Sequence, residues 1–450
     1  MFRTWWCAMA LAVACSALPA RAQDAEIRQL REELRQLRES YERRIEALER
    51  RLEQTQAQAP ARAEPRQARE SAFNPGISLI LQGTLARGSR DPGSYQITGF
   101  APSGGEVGPP ARGLSLAESE LVMSANVDPY FRGVMIAALT PEDEVEVEEA
   151  YFQTLSLGRG FTLKGGRFLS AIGYQNEIHQ HAWDFQDAPL PYKAFLGGRL
   201  GDDGLQLKWV APADLFVELG AELGRGRSFP ATERDRTAAN AWSLFGHLGG
   251  DIGASLAWRA GLSYLRSTPR ERAFEDADSL GEAVTQSFSG ASRLWIADLV
   301  LKWRNFKLQG EYFRRREQGT LGYDDSAQAA PQFGAPFSAA YSSRQSGWYL
   351  QGVWQFMPRW RVGLRHDRLD YGSVSNGIVA GGLGPTAADF PLLMTAHDPR
   401  RSTAMIDWSP TEFSRIRLQL ASDRSRFGLA DRQMLLQYIL SLGAHGAHRF

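Results

Sequence analysis

The residue types best suited to chemistry are concentrated in residues 170–204. His179 and His181 are two positions apart, so in an extended chain both side chains point to the same side. Two imidazoles with a carboxylate nearby form a donor set for Zn²⁺ or a similar divalent ion. The alternative is that both histidines pack or hydrogen-bond within this segment. The charged candidates in the same segment are Glu177, Asp184, Asp187 and Lys193.

A second pair of histidines, His445 and His448, lies near the C-terminus. Three positions apart in a strand, they fall on opposite faces, which disfavours joint metal binding. Catalysis has little support, because the sequence contains neither a Gly-x-Ser-x-Gly elbow nor a His-Glu-x-x-His motif. The 51 basic and 51 acidic residues balance, which argues against nucleic-acid binding by bulk charge. We therefore predict a protein that is not an enzyme and binds no nucleic acid.

The elements that must position these residues are β-strands. From Asn74 onward, apolar and polar residues alternate with period two in 16 segments. Trp295, Leu299 and Trp303, for example, share one apolar face of their segment. Aromatic residues recur at the ends of such faces, as they do in the girdles of membrane barrels. After residue 20, no segment approaches the roughly 20 apolar residues that a membrane-spanning helix needs.

The connections between these segments alternate in kind. Tight turns such as Asp128-Pro129 are followed by long connections, as in outer-membrane barrels. The pattern predicts an all-β transmembrane protein, a 16-stranded antiparallel outer-membrane β-barrel, with 18 strands as the alternative count. The last predicted strand, 433–450, keeps its alternation up to Phe450. Long connections are predicted at 88–112, 170–204, 225–238, 268–289, 317–345 and 371–401.

The polar faces of barrel strands line the lumen, and residues 170–204 are expected to fold inward as a constriction. The predicted pore-lining carboxylates are Glu144, Glu146 and Glu148 on one strand and Glu218 and Glu222 on another. The predicted pore-lining cations are Lys307, Arg361, Arg365, Arg415 and Arg417. Opposed charges would create a transverse field and only weak ion selectivity. The alternative is that ion pairs across neighbouring strands neutralise these charges.

Three segments precede the predicted barrel of residues 73–450. Residues 1–22 have the features of a secretory signal peptide that carries both cysteines, with a lipoprotein acceptor at Cys15 as the alternative. Residues 23–54 contain a heptad seam and predict an α-helical coiled coil that self-associates or docks on a partner. The alternative for this segment is a solvated, charged helix. Residues 55–72 are rich in Ala, Gln and Pro and predict a flexible linker.

This order of segments resembles the phosphate-selective porin O and P family of outer-membrane porins. The local motifs that carry the resemblance are Gly166-Arg167-Phe168, Phe195-Leu196-Gly197-Gly198-Arg199 and Asp407-Trp408-Ser409-Pro410. The resemblance implies trimeric, water-filled pores with the third long loop in the lumen and selectivity set by Arg and Lys. Residues 179–185 and 443–450 are similar to relatives described as zinc-regulated, which implies a link to zinc physiology.

Together these features predict an outer-membrane porin for passive diffusion of small hydrophilic solutes or ions, with anions such as phosphate as candidates. The expected partners are outer-membrane lipid, further copies in a homotrimer, and the cell wall through a periplasmic coiled coil. No cofactor is predicted apart from Zn²⁺ at His179 and His181. The alternative function is a structural tether between outer membrane and cell wall with a non-conducting barrel. Residues 24–72 are too few for the plug of an energy-coupled receptor.

Overall fold

The computed structural model describes residues 76–104, 107–232 and 239–443. The predicted signal peptide, coiled coil and linker lie outside these residues, as do His445, His448 and Phe450. The strands are β1 (Gly76–Gly88), β2 (Gly113–Leu116), β3 (Ser119–Asn126), β4 (Phe131–Leu139), β5 (Val145–Thr154), β6 (Phe161–Leu169), β7 (Gly201–Val210), β8 (Phe216–Gly224), β9 (Ala241–Ile252), β10 (Leu256–Ser267), β11 (Arg272–Ala277), β12 (Ala283–Trp303), β13 (Phe306–Asp324), β14 (Phe337–Met357), β15 (Trp360–Asn376), β16 (Arg400–Thr411), β17 (Ser414–Arg424) and β18 (Asp431–Gly443). The α-helices are short: α1 (Leu190–Leu196), α2 (Gly377–Gly381) and α3 (Pro391–Met394).

All these strands belong to one sheet that closes on itself. Each strand pairs in antiparallel fashion with its neighbours, and the sheet closes where β1 pairs with β18, from Ser78 with Gly443 to Gly88 with Gln433. Closure leaves no strand edge to be satisfied, which is the condition for a sheet in a lipid bilayer. Among the described residues, no helix is long and apolar enough to cross a membrane.

Two positions in the barrel are occupied by interrupted strands. β2 and β3 both pair with β1 and are separated by Ala117 and Glu118. β10 and β11 both pair with β12 and are separated by residues 268–271. The 18 strand segments therefore form a barrel of 16 strands, and the predicted count of 16 is confirmed.

The predicted alternation of faces is present. In β12, Trp295 and Leu299 are exposed, whereas Ile296 and Asp298 are buried. Buried polar side chains such as Gln309 recur on the neighbouring strands. Since lipid faces the outside of such a barrel and side chains fill its interior, this alternation gives each strand an apolar outer and a mixed inner face.

Two predicted loops, 268–289 and 317–345, are largely strand instead. β11 lies within the first, and β12 begins at Ala283 and pairs with β13 as far as Asp324. These extensions lack the apolar outer face on which the prediction relied. Apolar packing inside the barrel holds their inward residues. Phe288 belongs to a buried cluster that includes Phe390, from the connection between β15 and β16. A contact between distant segments therefore extends the hairpins.

The barrel interior contains a second apolar cluster built from loops. Every residue of α1 is buried. Phe195 of this helix packs edge-on against Phe100, with ring centroids 5.8 Å apart, and stacks on Phe313 of β13 at 6.1 Å. Burial of this kind stabilises the folded loops inside the barrel, because apolar area is removed from water.

The pairing of β12 with β13 depends on a glycine pair, Gly290 opposite Gly319. A Cβ atom on Gly319 would lie 2.1 Å from the backbone oxygen of Ser289, so Gly319→Ala must displace backbone. We expect this change to lower the free energy of unfolding by about 1–3 kcal/mol. Gly133→Ala in β4 is the control, because its Cβ would meet nothing within 4 Å. Urea unfolding followed by tryptophan fluorescence compares the two, and equal midpoints would contradict the prediction.

Candidate functional site

Residues 170–200, which connect β6 to β7, lie inside the barrel and are called the inner loop here. The inner loop reaches the inward side chains of strands on all sides. Its contacts on the strands include Thr84 in β1, Glu120 in β3, Glu149 in β5, Glu222 in β8, Ser263 in β10, Glu311 in β13, Tyr349 in β14, Arg365 in β15, Arg401 in β16 and Gln419 in β17. The segment proposed as a constriction from the sequence therefore crosses the lumen.

The two ends of the inner loop are held together by one buried side chain. The Asn176 amide donates to the carbonyl oxygens of Ser170 at 2.7 Å and of Leu200 at 2.9 Å. Its oxygen accepts from the Leu200 backbone N–H at 2.7 Å. Glu222 of β8 accepts from the Ser170 hydroxyl and from the Ala171 backbone N–H. These bonds fix the entry and the exit of the loop against the barrel.

Carboxylates on one side of the inner loop contact cations of the strands β13–β17. These cations are called the basic wall here. Asp184 accepts from Lys307 and from Arg361, each at 3.0 Å. Burial alone would raise the pKa of the Asp184 carboxyl, but Lys307 and Arg361 lower it well below its ordinary value. The carboxylate therefore stays ionised and binds this part of the loop to the wall.

Asp187 makes the larger set of contacts with the basic wall. Its carboxylate lies 2.5 Å from Arg401, 3.1 Å from Arg365 and 3.5 Å from Lys193 of α1. Burial opposes ionisation of Asp187, but these cations, with Arg401 the strongest, hold its pKa well below the usual range. Gln419 of β17 also donates to Asp187, at 2.8 Å. Asp187 is thus the main ionic anchor of the loop.

On the opposite side of the loop, His179, His181 and Arg199 contact carboxylates on or next to β3 and β5. These carboxylates are called the acidic wall here: Glu118, Glu120, Glu148 and Glu149. His181 Nδ1 lies 2.9 Å from Glu120, and His179 Nε2 lies 3.1 Å from Glu149. Arg199 pairs with Glu118 at 2.9 Å and with Glu148. In the order of the sheet, β3–β8 and β13–β17 occupy opposite halves of the barrel.

His179 lies among three carboxylates of this cluster. Burial disfavours its imidazolium form, but the nearby carboxylates of Glu120, Glu148 and Glu149 raise its pKa well above the ordinary value. These three carboxylates lie within 3.2 Å of the His179 ring nitrogens. The carboxylates therefore favour positive charge at this position.

The local conformation differs from the extended chain assumed for the two histidines. Gln180–Ala182 form a single 3-10 turn that begins after His179. The two rings nevertheless stack, with centroids 5.9 Å apart, because both reach Glu120. Glu120 in β3 thus brings them together, whereas alternation along an extended loop does not.

Three of the predicted pore-lining carboxylates, Glu144, Glu146 and Glu148, lie in β5 or next to it, and Glu146 shares a face with Ala138 and Glu120. The pairing of β4 with β5 shifts register between Ile136 and Ala137, so the alternation is broken at Glu148. Glu148 and the following Glu149 both contact the inner loop, whereas Glu144 and Glu146 are exposed near the β4–β5 turn. A bulge of this kind places two successive side chains on one side of the sheet.

The other predicted pore-lining charges divide into two groups. Arg365, Arg417, Glu218 and Glu222 are buried and have partners: Arg365 pairs with Asp187, and Arg417 donates to the Trp183 carbonyl at 2.8 Å. Arg365, Arg417 and Glu222 bond to the inner loop, and Glu218 contacts Lys208 and His247 on the neighbouring strands. Glu177 lies 3.9 Å from Lys208. The residues that stay partly exposed are Lys307, Arg361 and Arg415.

Glu311 of β13 also contacts the inner loop, and the sequence did not indicate this residue. Its carboxylate accepts from the backbone N–H groups of Tyr174 and Gln175, both at 3.1 Å, and from the Tyr192 and Tyr349 hydroxyls. Glu311 lies on the inward phase of β13, so alternation alone could have placed it in the lumen. Glu120, Glu149 and Arg401 were also missed. Their partners in the inner loop are distant in sequence, so no local pattern pairs them.

A closed 16-stranded antiparallel barrel is a fold that this chain shares with outer-membrane proteins of known structure. The trimer form of OmpT, an outer membrane protein of Vibrio cholerae, has this fold: TM-score 0.51, 10% identity, covering 82% of this chain and 99% of OmpT. The outer membrane channel DcaP of Acinetobacter baumannii gives TM-score 0.50 at 10% identity, over 82% of this chain and 97% of DcaP.

A protein of Aquifex aeolicus (strain VF5), described as uncharacterized, is 33% identical over 414 residues. The match covers 85% of this chain and 81% of the relative. The chain therefore belongs to the same family as that protein. No family model matches the sequence.

Neutralising Asp187 tests the anchoring of the inner loop. Asp187→Asn leaves the buried cations Arg365 and Arg401 without their shared carboxylate, and we expect it to destabilise the docked loop by about 3 kcal/mol or more. Asp398→Asn is the control, because Asp398 pairs with Arg368 at 3.2 Å in an exposed position, where an ion pair contributes little. Hydrogen exchange of residues 184–199 should accelerate only in the first variant. Equal protection in both variants would contradict the anchor.

Proposed function

We propose that this protein is a passive diffusion channel of the bacterial outer membrane that favours small hydrophilic anions and catalyses no reaction. The observation that carries the proposal is a cluster of partly exposed cations below the inner loop, inside a barrel whose outer face is apolar. Lipid around the barrel and water inside it give a route across the membrane, and the fixed charge in that route selects among solutes.

The cluster consists of Lys307, Arg361 and Arg415, on the alternate strands β13, β15 and β17, and the buried Arg417 lies next to it on β17. It faces two carboxylates, Asp184 and Asp407, which Arg361 contacts at 3.0 and 2.5 Å. The Nε and Nη1 atoms of Arg415 are buried and have no hydrogen-bond partner among the described residues. The cations here outnumber the two carboxylates, and a guanidinium whose N–H groups lack acceptors suits phosphate or a similar oxyanion.

The acidic wall opposes this cluster, and several carboxylates on that side of the barrel are ion-paired. Arg199 pairs with Glu118 and Glu148, and Lys208 pairs with Glu218 of β8 at 3.4 Å. Compensated carboxylates repel a passing anion less than free ones, because the paired charges cancel at a distance. The net preference we propose is therefore for anions, a stronger selectivity than the sequence suggested. Phosphate is the candidate solute.

The assembly that we propose is a homotrimer in the outer membrane, with residues 23–54 as a coiled coil in the periplasm. The trimer form of the structurally similar OmpT supports this assembly. A role in zinc physiology belongs to the same proposal, through the loop histidines His179 and His181.

A non-conducting tether between outer membrane and cell wall is the second candidate. The observation that favours it is the apolar cluster around α1, which occupies the interior where a solute would pass. The two functions differ in one measurable property, because only the channel carries ionic current.

Conductance in planar lipid bilayers decides between channel and tether. We expect the purified, refolded full chain to give stepwise current increases in potassium chloride, and Asp187→Asn to give larger steps because the inner loop is less firmly held. The correct fold is checked beforehand by heat-modifiable migration in detergent gels. Folded protein that inserts without any open current would eliminate the channel.

The contribution of Arg415 to selectivity is tested by reversal potentials in a salt gradient. Arg415→Gln keeps a polar side chain but removes a charge with little compensation, and we expect the chloride-to-potassium permeability ratio to fall about twofold or more. Arg368→Gln removes an exposed, ion-paired charge from β15 and serves as the control. A parent channel that prefers potassium, or equal ratios in the two variants, would refute the proposed role.

A further inference from the structure

Three buried polar atoms converge where the inner loop meets the acidic wall. His179 Nδ1 lies 3.2 Å from Glu120 Oε2 and 3.2 Å from Glu148 Oε2, and all three atoms lie within 4.8 Å of one another. Neither contact has the geometry of a hydrogen bond, and none of the three atoms has a hydrogen-bond partner among the described residues. Buried polar atoms without a partner are costly, so a group that satisfies all three together is expected here.

The other ring nitrogen of His179 already has its partner. His179 Nε2 lies 3.1 Å from Glu149 Oε2, and Glu149 Oε1 accepts from the Leu169 backbone N–H at 2.9 Å. When a metal ion displaces the Nδ1 proton, the remaining proton on Nε2 is donated to Glu149 and the Nδ1 lone pair is directed at the convergence point. Histidines that bind a metal through one ring nitrogen usually donate the proton of the other ring nitrogen to a carboxylate or a similar acceptor.

The second oxygen of each carboxylate is also engaged. Glu120 Oε1 bonds to His181 Nδ1 at 2.9 Å, and Glu148 Oε1 bonds to Arg199. These contacts orient both carboxylates and leave their Oε2 atoms for another group. His181 therefore orients the Glu120 carboxylate through its second oxygen, and Glu149 orients the His179 ring through its second nitrogen.

Carboxylates outnumber cations around the convergence point. The four carboxylates Glu118, Glu120, Glu148 and Glu149 face two cations, Arg199 and Lys164. Acidic oxygens of this kind are suitable ligands for a divalent ion, which takes the place of the proton on His179.

We infer that Glu120, Glu148 and His179 form a binding site for one divalent transition-metal ion, which joins the inner loop to β3 and β5. One imidazole and two carboxylates suit Zn²⁺, Mn²⁺ or Fe²⁺. Donor atoms about 2.1 Å from such an ion lie roughly 3–3.5 Å from each other, which agrees with the two contacts of His179 Nδ1.

The three ligand atoms are buried, although the side chains are not equally enclosed. The His179 side chain is 14% exposed and that of Glu148 is 10% exposed, whereas Glu120 is 0% exposed. The ion would bind between a loop residue and two strand residues. The site differs from the pair His179 and His181 expected from the sequence, because the second histidine orients a ligand and does not supply one.

Calorimetric titration of the refolded, chelator-treated full chain with Zn²⁺ tests this inference. We expect one ion per chain, and binding at least about tenfold weaker in Glu148→Gln and in His179→Ala. Glu148→Gln is the milder change, because it keeps the side-chain shape and an oxygen that Arg199 can bind. The control is His247→Ala, which removes another buried histidine that is 3.0 Å from a carboxylate, Glu218, and should leave zinc affinity unchanged.

The terminal histidines are tested in parallel. The double variant His445→Ala, His448→Ala should bind Zn²⁺ as the parent does. The inference is overturned if the parent shows no saturable binding, if Glu148→Gln and His179→Ala bind as tightly as the parent, or if only the double variant loses the ion. Conductance plays no part in this readout, so the site can be tested whatever the barrel transports.

Discussion

Closure of the sheet between β1 and β18 is the constraint on which the rest of the structure depends. A strand at membrane depth cannot hydrogen-bond to water, so an open edge would leave unpaired backbone groups in lipid. Closure satisfies these groups and turns one face of every strand inward, so charged side chains become enclosed. Everything inside the barrel follows from the need to compensate those charges.

The inner loop supplies that compensation with opposite signs on its two sides. Asp184 and Asp187 meet the basic wall, whereas His179 and Arg199 meet the acidic wall. Reversing the loop would place like charges together in a low-dielectric interior, at high energetic cost. Charge therefore determines the orientation of the loop, and the apolar packing around α1 stabilises it once it is oriented.

Several charged side chains inside the barrel keep buried atoms without a hydrogen-bond partner among the described residues, and we assign binding to two of these places. At Arg415 the atoms are guanidinium nitrogens, whose charge suits an anion. At His179, Glu120 and Glu148 they are a ring nitrogen and two carboxylate oxygens, which suit a bound cation. The two sites lie on opposite walls and have opposite sign, so anion passage and metal binding can coexist in one lumen.

The sequence by itself determined the barrel. Its period-two alternation, tight turns and long connections predicted 16 antiparallel strands, because lipid requires an apolar outer face at every strand. It also singled out residues 170–204 and the two loop histidines as functional candidates. It did not predict the strand extensions that begin at Ala283 in β12 and end at Asp324 in β13. These extensions have no apolar outer face, so their sequence pattern resembles that of a loop.

Only the tertiary structure decided which charges meet. Glu149 faces the loop because a register shift breaks the alternation of β5, and such a shift depends on pairing with β4. Glu311 binds residues more than a hundred positions away, at Tyr174 and Gln175. Local sequence patterns carry no information about such distant partners. The convergence of Glu120, Glu148 and His179 therefore exists only once the barrel has closed around the loop.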